Sequence, residues 1–144
     1  MHARALHLLV PLVVLWGVVS CAGSNPMSAV ASNPLISSLT SNLGVSPEQA
    51  VGGTGAMLGY AKNNLPSDQF NAVSNAIPGG SEITKAAGPL VGNSPLKSLT
   101  DVQGVFSKLG MSPDTVSKFA PILSDQVSKV AGPQVGGLLS SLFK

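Results

Sequence analysis

Few side chains in this sequence could do chemistry, and the single cysteine is the first of them. Cys21 closes the stretch LVVLWGVVSC, Leu12 to Cys21, directly behind an apolar run that begins near the N-terminus. The carboxylates are Glu48, Asp68, Glu82, Asp101, Asp114 and Asp125. They stand singly along the chain, whereas acid pairs of the glycosidase type must converge in one cleft. His2, His7, Arg4 and Trp16 all fall within the first 20 residues. If that segment is removed, no Ser-His-Asp or Cys-His arrangement can be built, nor a zinc site of Cys and His ligands. Ser107 with Lys108 and Ser117 with Lys118 place a hydroxyl beside an amine, but neighbouring residues on a helix point to different sides. The glycine-rich GGTGAMLGYAK, Gly52 to Lys62, has neither a Gly-Lys-Ser/Thr ending nor a strand before it, so it is not a phosphate loop. No catalytic residue, cofactor or metal site is expected.

The segment ending at Cys21 reads as an address. Residues 1–20 supply a short basic start with Arg4, an apolar stretch from Leu6 to Val19, and the small residue Ser20 at the cut. That is the plan of a secretory signal. A retained membrane span fits less well, because the run is broken by Pro11 and Gly17 and is shorter than the roughly 20 apolar residues a span requires. Val18 to Cys21, VVSC, resembles the lipobox of bacterial lipoproteins. The resemblance implies cleavage between Ser20 and Cys21, a lipid thioether on Cys21, and an acyl chain such as palmitate on the new N-terminus. The other reading is an incidental thiol beside an ordinary cleavage site, but a lone cysteine in an exported chain asks for a purpose. One acyl chain holds only marginally and two or more anchor stably. Ala22 stands where an aspartate favours the inner membrane, so the expected address is the outer membrane, periplasmic face.

The remaining composition narrows the partners. Among 144 residues, charged residues make up 10%, hydrophobic residues 44% and aromatics 4%, with a net charge of +2. The seven lysines are dispersed and form no stripe, so nucleic acid is not an expected partner. The expected partners are the bilayer, through acylated Cys21, and an envelope protein.

The elements that must carry these residues are helical. Ala22 to Asn33, AGSNPMSAVASN, is small and polar and reads as a flexible tether. Asn33 then caps a helix that begins at Pro34, carries Leu35, Ile36, Leu39 and Leu43, and stops at Gly44. Ser46, Pro47 and Gln49 form a capping box that opens a helix to about Lys62. Ser67 caps a third with Phe70, Val73 and Ile77 on one face. Residues SEITKAAGP give about two turns before Gly88 and Pro89, and Ser94 caps a helix whose face runs Leu99, Val102, Phe106 and Leu109. The spacings of three and four residues fit the helical period rather than the period of a strand.

The second helix carries Gly52, Gly53, Gly55 and Gly59, each costing up to about 1 kcal/mol relative to alanine. Close approach of another helix would offset that, so Gly52, Gly55 and Gly59 mark a candidate packing groove. The junction LGVSPE, Leu43 to Glu48, is echoed by LGMSPD, Leu109 to Asp114, 66 residues on. This hints at a duplicated helical unit, and shared capping chemistry explains it as well. From Pro113 the stripe Val116, Ala120, Leu123, Val127 and Val130 makes the clearest helix. Asp114 with Lys118 and Asp125 with Lys129 stand four apart in the favourable order. Pro121 should kink or split it. Val135, Leu138, Leu139, Leu142 and Phe143 close the chain.

The reading is all-α: a bundle of about six or seven short helices over residues 34–144, behind a signal segment at 1–20 and a lipidated linker at 21–33. Leu43 to Gly80, with SPEQA followed by glycines, and Phe106 to Val127, with KFAP, resemble the VcgC/VcgE family of bacterial proteins of unknown function. That resemblance implies a helical, envelope-associated domain and offers no catalytic residues. Two non-catalytic functions follow. The domain is a structural or protein-interaction module using an apolar helix face or the glycine groove, or it carries a hydrophobic ligand in an apolar cavity.

Overall fold

The computed structural model describes residues 26–144. Eight helices follow one another: α1 (Pro26–Ala31), α2 (Pro34–Leu43), α3 (Pro47–Asn64), α4 (Ser67–Ala76), α5 (Gly80–Val91), α6 (Leu99–Lys108), α7 (Pro113–Ala131) and α8 (Pro133–Leu142). No strand occurs among the described residues. The signal segment, Ser20 and Cys21 lie outside them.

Helix starts follow local chemistry closely. Asn33 Oδ1 accepts from the Leu35 N–H at 2.9 Å, and Pro34 occupies the first turn where its missing N–H loses nothing. Gly44 ends α2 at φ 64°, the left-handed conformation a glycine takes without strain. Ser46 Oγ accepts from the Gln49 N–H at 3.2 Å while Gln49 Oε1 accepts from the Ser46 N–H at 2.9 Å, completing the capping box. Gln49 Nε2 also donates to the Leu109 carbonyl at 2.9 Å, so the two Leu-Gly-x-Ser-Pro junctions meet in space.

Several expectations need correction. Helix α1 forms inside the stretch read as a tether, because Val30 is drawn into the core at 3% exposure. The described helices therefore include Pro26–Ala31, and eight helices lie among the described residues. The cap of α4 is Pro66, with Ser67 as its first residue, and the cap of α6 is Ser98 rather than Ser94. Pro89 does not stop α5, and Pro121 does not split α7. In each case the carbonyl left without its usual donor, Lys85 or Ser117, belongs to an exposed residue that water can reach. Of the two acid–lysine pairs only Asp125–Lys129 forms an ion pair among the described residues, at 2.7 Å.

The helices arrange as two matching units. Pro47 and Pro113 start α3 and α7 66 residues apart, Ser67 and Pro133 start α4 and α8 at the same separation, and α2 and α6 start 65 apart. Lengths agree, at 10, 18 and 10 residues against 10, 19 and 10. Pairing between the units is reciprocal: α2 packs on α7, α6 packs on α3, and α4 meets α8. Helix α5 has no counterpart among the described residues, and it lies along α3.

Helix α3 runs through the centre, buried all round from Ala50 to Leu58. Its own Met57 and Leu58 and, from other helices, Ile36, Leu39, Ile83, Leu123 and Leu139 are fully buried. Each such side chain contributes about 1.5–3 kcal/mol when removed from water. Phe106 and Phe119 meet edge to face, 5.2 Å between ring centres. On α7 the core face differs from the expected stripe: Phe119 and Ser124 are buried, and Val130 is 60% exposed. The phase of α7 is set by the aromatic pair packed over Gly53, which turns Val130 outward.

Candidate functional site

The glycines of α3 work inside the fold. A Cβ on Gly52 would lie 2.6 Å from Leu109 Cδ1, and one on Gly53 would lie 2.9 Å from Phe119 Cε2. A Cβ on Gly55 would overlap the Ala87 methyl of α5, and one on Gly59 would come 3.2 Å from Leu96 Cδ1. The expected groove exists, but this chain fills it, so Gly52, Gly55 and Gly59 are not free to receive another protein. Asn63 Nδ2 closes the last part by donating to the Leu96 carbonyl at 3.1 Å.

The carboxylates serve local structure. Ser98 and Asp101 form a second capping box: Asp101 Oδ2 accepts from the Ser98 N–H at 2.9 Å and the Lys97 N–H at 3.1 Å, and the Asp101 N–H donates to Ser98 Oγ at 3.2 Å. The contact with Ser98, followed by these backbone donors, holds the Asp101 carboxyl below its ordinary pKa. The Ser81 hydroxyl donates to Glu82 at 2.9 Å and lowers that carboxyl in the same sense. Glu48 and Asp114 sit in the first turns of α3 and α7, where the helix dipole favours negative charge. Among the described residues no three His, Cys, Asp or Glu side chains gather into a metal-binding group. No helix there is long and apolar enough to cross a membrane.

Three concavities mark the surface of the described residues: one of about 480 Å³ lined by Met27, Glu48, Lys85, Pro89 and Leu90, and two lined with fewer charged side chains. Of those two, one is a groove between α2, α4 and α7, walled by Leu35, Ile77, Pro78, Val127 and the exposed Val130. The other is a cleft of about 340 Å³ between α6, α7 and the end of α8, walled by Leu99, Val116, Ala120, Pro121 and Phe143. Ser124 also lines this cleft. It is 3% exposed, and its Oγ has no hydrogen-bond partner. Leaving a buried hydroxyl unmatched costs about 1–3 kcal/mol, and elsewhere the fold avoids that cost. Thr54 Oγ1 donates to the Ala50 carbonyl at 2.7 Å, and Ser128 Oγ to the Ser124 carbonyl at 2.8 Å. The sequence reading missed Ser124. Its one signal was a hydroxyl a turn beyond Ala120, on the face that holds the core residues of α7.

A small all-α domain of two matched three-helix units, sealed by glycine contacts, is thus the class this chain defines. It belongs to the VcgC/VcgE family of proteins of unknown function (DUF2780), whose model matches residues 19–143. Comparison with curated proteins and with solved structures finds no match.

Proposed function

We propose that this chain is a lipid-anchored protein of the bacterial envelope whose folded body is a non-catalytic interaction module. The lipobox-like VVSC supports an anchor on Cys21. The observation that supports the reading most is spacing: α1 starts at Pro26, five residues after Cys21. At up to about 3.6 Å per residue, that spacer reaches at most roughly 18 Å. An acylated Cys21 would therefore hold the body against the headgroup layer rather than on a long leash. In this reading the body faces the periplasm from the outer membrane.

The interaction role draws support from the lack of any grouped reactive side chains among the described residues and from the groove beside Val130, an exposed large aliphatic residue. The partner is an envelope protein offering an aliphatic side chain to that groove. Cys21→Ser tests the anchor: fatty-acid labelling and membrane retention should both disappear, and unchanged labelling would refute it. Val130→Lys tests the module: a photocrosslinked partner seen from position 126 should be lost while the fold persists. A crosslink that survives the lysine would overturn the assigned surface.

A further inference from the structure

We infer that the concavity between α1, α5 and the first turn of α3 rests on the bilayer and seats the zwitterionic headgroup of a phospholipid, its phosphate at Lys85 and its ammonium at Glu48. The inference rests on the lipid anchor at Cys21, and it adds which face the anchor brings down and what that face holds.

Reach selects the face. An acylated Cys21 lies at the level of the headgroups, and Met27, the first residue lining the concavity, is six residues on. Six residues span at most about 22 Å. A compact body of the described length has a radius of gyration of about 13.5 Å and is roughly 35 Å across. With its far side on the membrane, Met27 would stand beyond the tether's reach. With the α1 side down, the tether is slack.

The same face is what the chain adds to its repeat. Helices α1 and α5 stand outside the two matched three-helix units, and they pack on each other and on α3. Val30, 3% exposed, pins α1 in place, so Met27 shares a fixed concavity with Pro89 and Leu90 of α5.

Charge selects the ligand. The walls carry one ammonium, Lys85, and one carboxylate, Glu48, both exposed. Among the described residues neither takes part in an ion pair. Glu82, one turn before Lys85, accepts instead from the Ser81 hydroxyl at 2.9 Å. A head bearing only negative charge would meet Glu48, and one bearing only positive charge would meet Lys85. A zwitterion answers both. Met27, Pro89 and Leu90 supply apolar surface for the glycerol and the first methylenes, and the volume of about 480 Å³ lies within the usual range for small organic ligands.

The test uses the chain extracted from the membranes of cells that make it and reconstituted in vesicles of phosphatidylethanolamine and phosphatidylglycerol. Trp16, the single tryptophan of the sequence, precedes Cys21, so a chain that begins at Cys21 emits only from an introduced tryptophan. A nitroxide on the phospholipid headgroup should quench Ser28→Trp and, separately, Leu90→Trp. It should leave Gln134→Trp bright, because α8 packs on α3, α4 and α7. Adding Lys85→Gln should lower the ratio of seated to free body about two- to fivefold, the value of one exposed charge pair. Vesicles of phosphatidylglycerol alone should lower it as well. Fatty-acid labelling of the same samples separates the two readings. A labelled chain whose tryptophans at 28 and 90 stay bright, or whose tryptophan at 134 is quenched equally, overturns the inference and leaves the anchor standing. So does quenching indifferent to Lys85→Gln and to the loss of phosphatidylethanolamine. A chain without label overturns the anchor, and the inference with it.

Discussion

Gly55 of α3 and Ala87 of α5 approach so closely that a methyl group on Gly55 would occupy the space of the Ala87 methyl, with the Ala87 Cα only 3.5 Å away. Two helices meet there almost backbone to backbone. The contact accounts for the glycine at position 55, while Gly52, Gly53 and Gly59 meet Leu109, Phe119 and Leu96.

Glycine substitutions should therefore split by environment. Gly55→Ala gains up to about 1 kcal/mol of helix propensity but overpacks a rigid contact at a cost of about 1–3 kcal/mol, so a net loss is expected. Gly104 lies inside α6 with nothing within 4 Å of an added Cβ. Gly104→Ala should stabilise by about 0.5–1 kcal/mol. Urea unfolding of both variants checks the pair, and equal effects would mean that the α3–α5 contact is looser than described.

The start of α6 should be sensitive to acid. Asp101 has a lowered carboxyl pKa in the fold, so its contribution is present above the ordinary carboxylate value of about 4 and is lost as pH falls through the lowered one. Asp101→Ala should thus destabilise at pH 7, and the difference should shrink as pH falls through the lowered value. Ser98→Ala, which removes the other half of the box, should cost about 1 kcal/mol. Thermal melts across pH provide the comparison.

Val130 and Leu123 share a helix and differ in fate. Leu123 is fully buried, so Leu123→Ala should cost about 2–5 kcal/mol. Val130→Ala should change stability by less than about 0.5 kcal/mol, as exposed substitutions do. A large loss at position 130 would return it to the core and remove the groove it borders.

What the sequence made readable was local. Asn33-Pro34, Ser46-Pro47-Gln49 and Gly44 act on atoms within four residues, so the bounds of α2 and the starts of α2 and α3 could be read directly. Failures came where distant residues decide. Nothing near Gly52 or Gly55 says that Leu109 and Ala87 fill the space beside them. The stripe on α7 could be drawn through Val130 or through Phe119, since both spacings are helical, and the choice rests on Phe106 from another helix. Val30 looked like tether because its burial depends on helices that follow it. The 66-residue echo of the junctions was visible, but its extension to three helices appears only when α4 and α8 are seen together.

The central proposal is that Cys21 carries the lipid that holds the helical body at the envelope. Intact and peptide mass spectrometry of the N-terminus of the membrane-extracted protein tests it most directly. The account predicts a chain that begins at Cys21, with a diacylglyceryl thioether and an amide-linked acyl group. A chain that keeps residues 1–20, or one whose Cys21 is a free thiol, would contradict it.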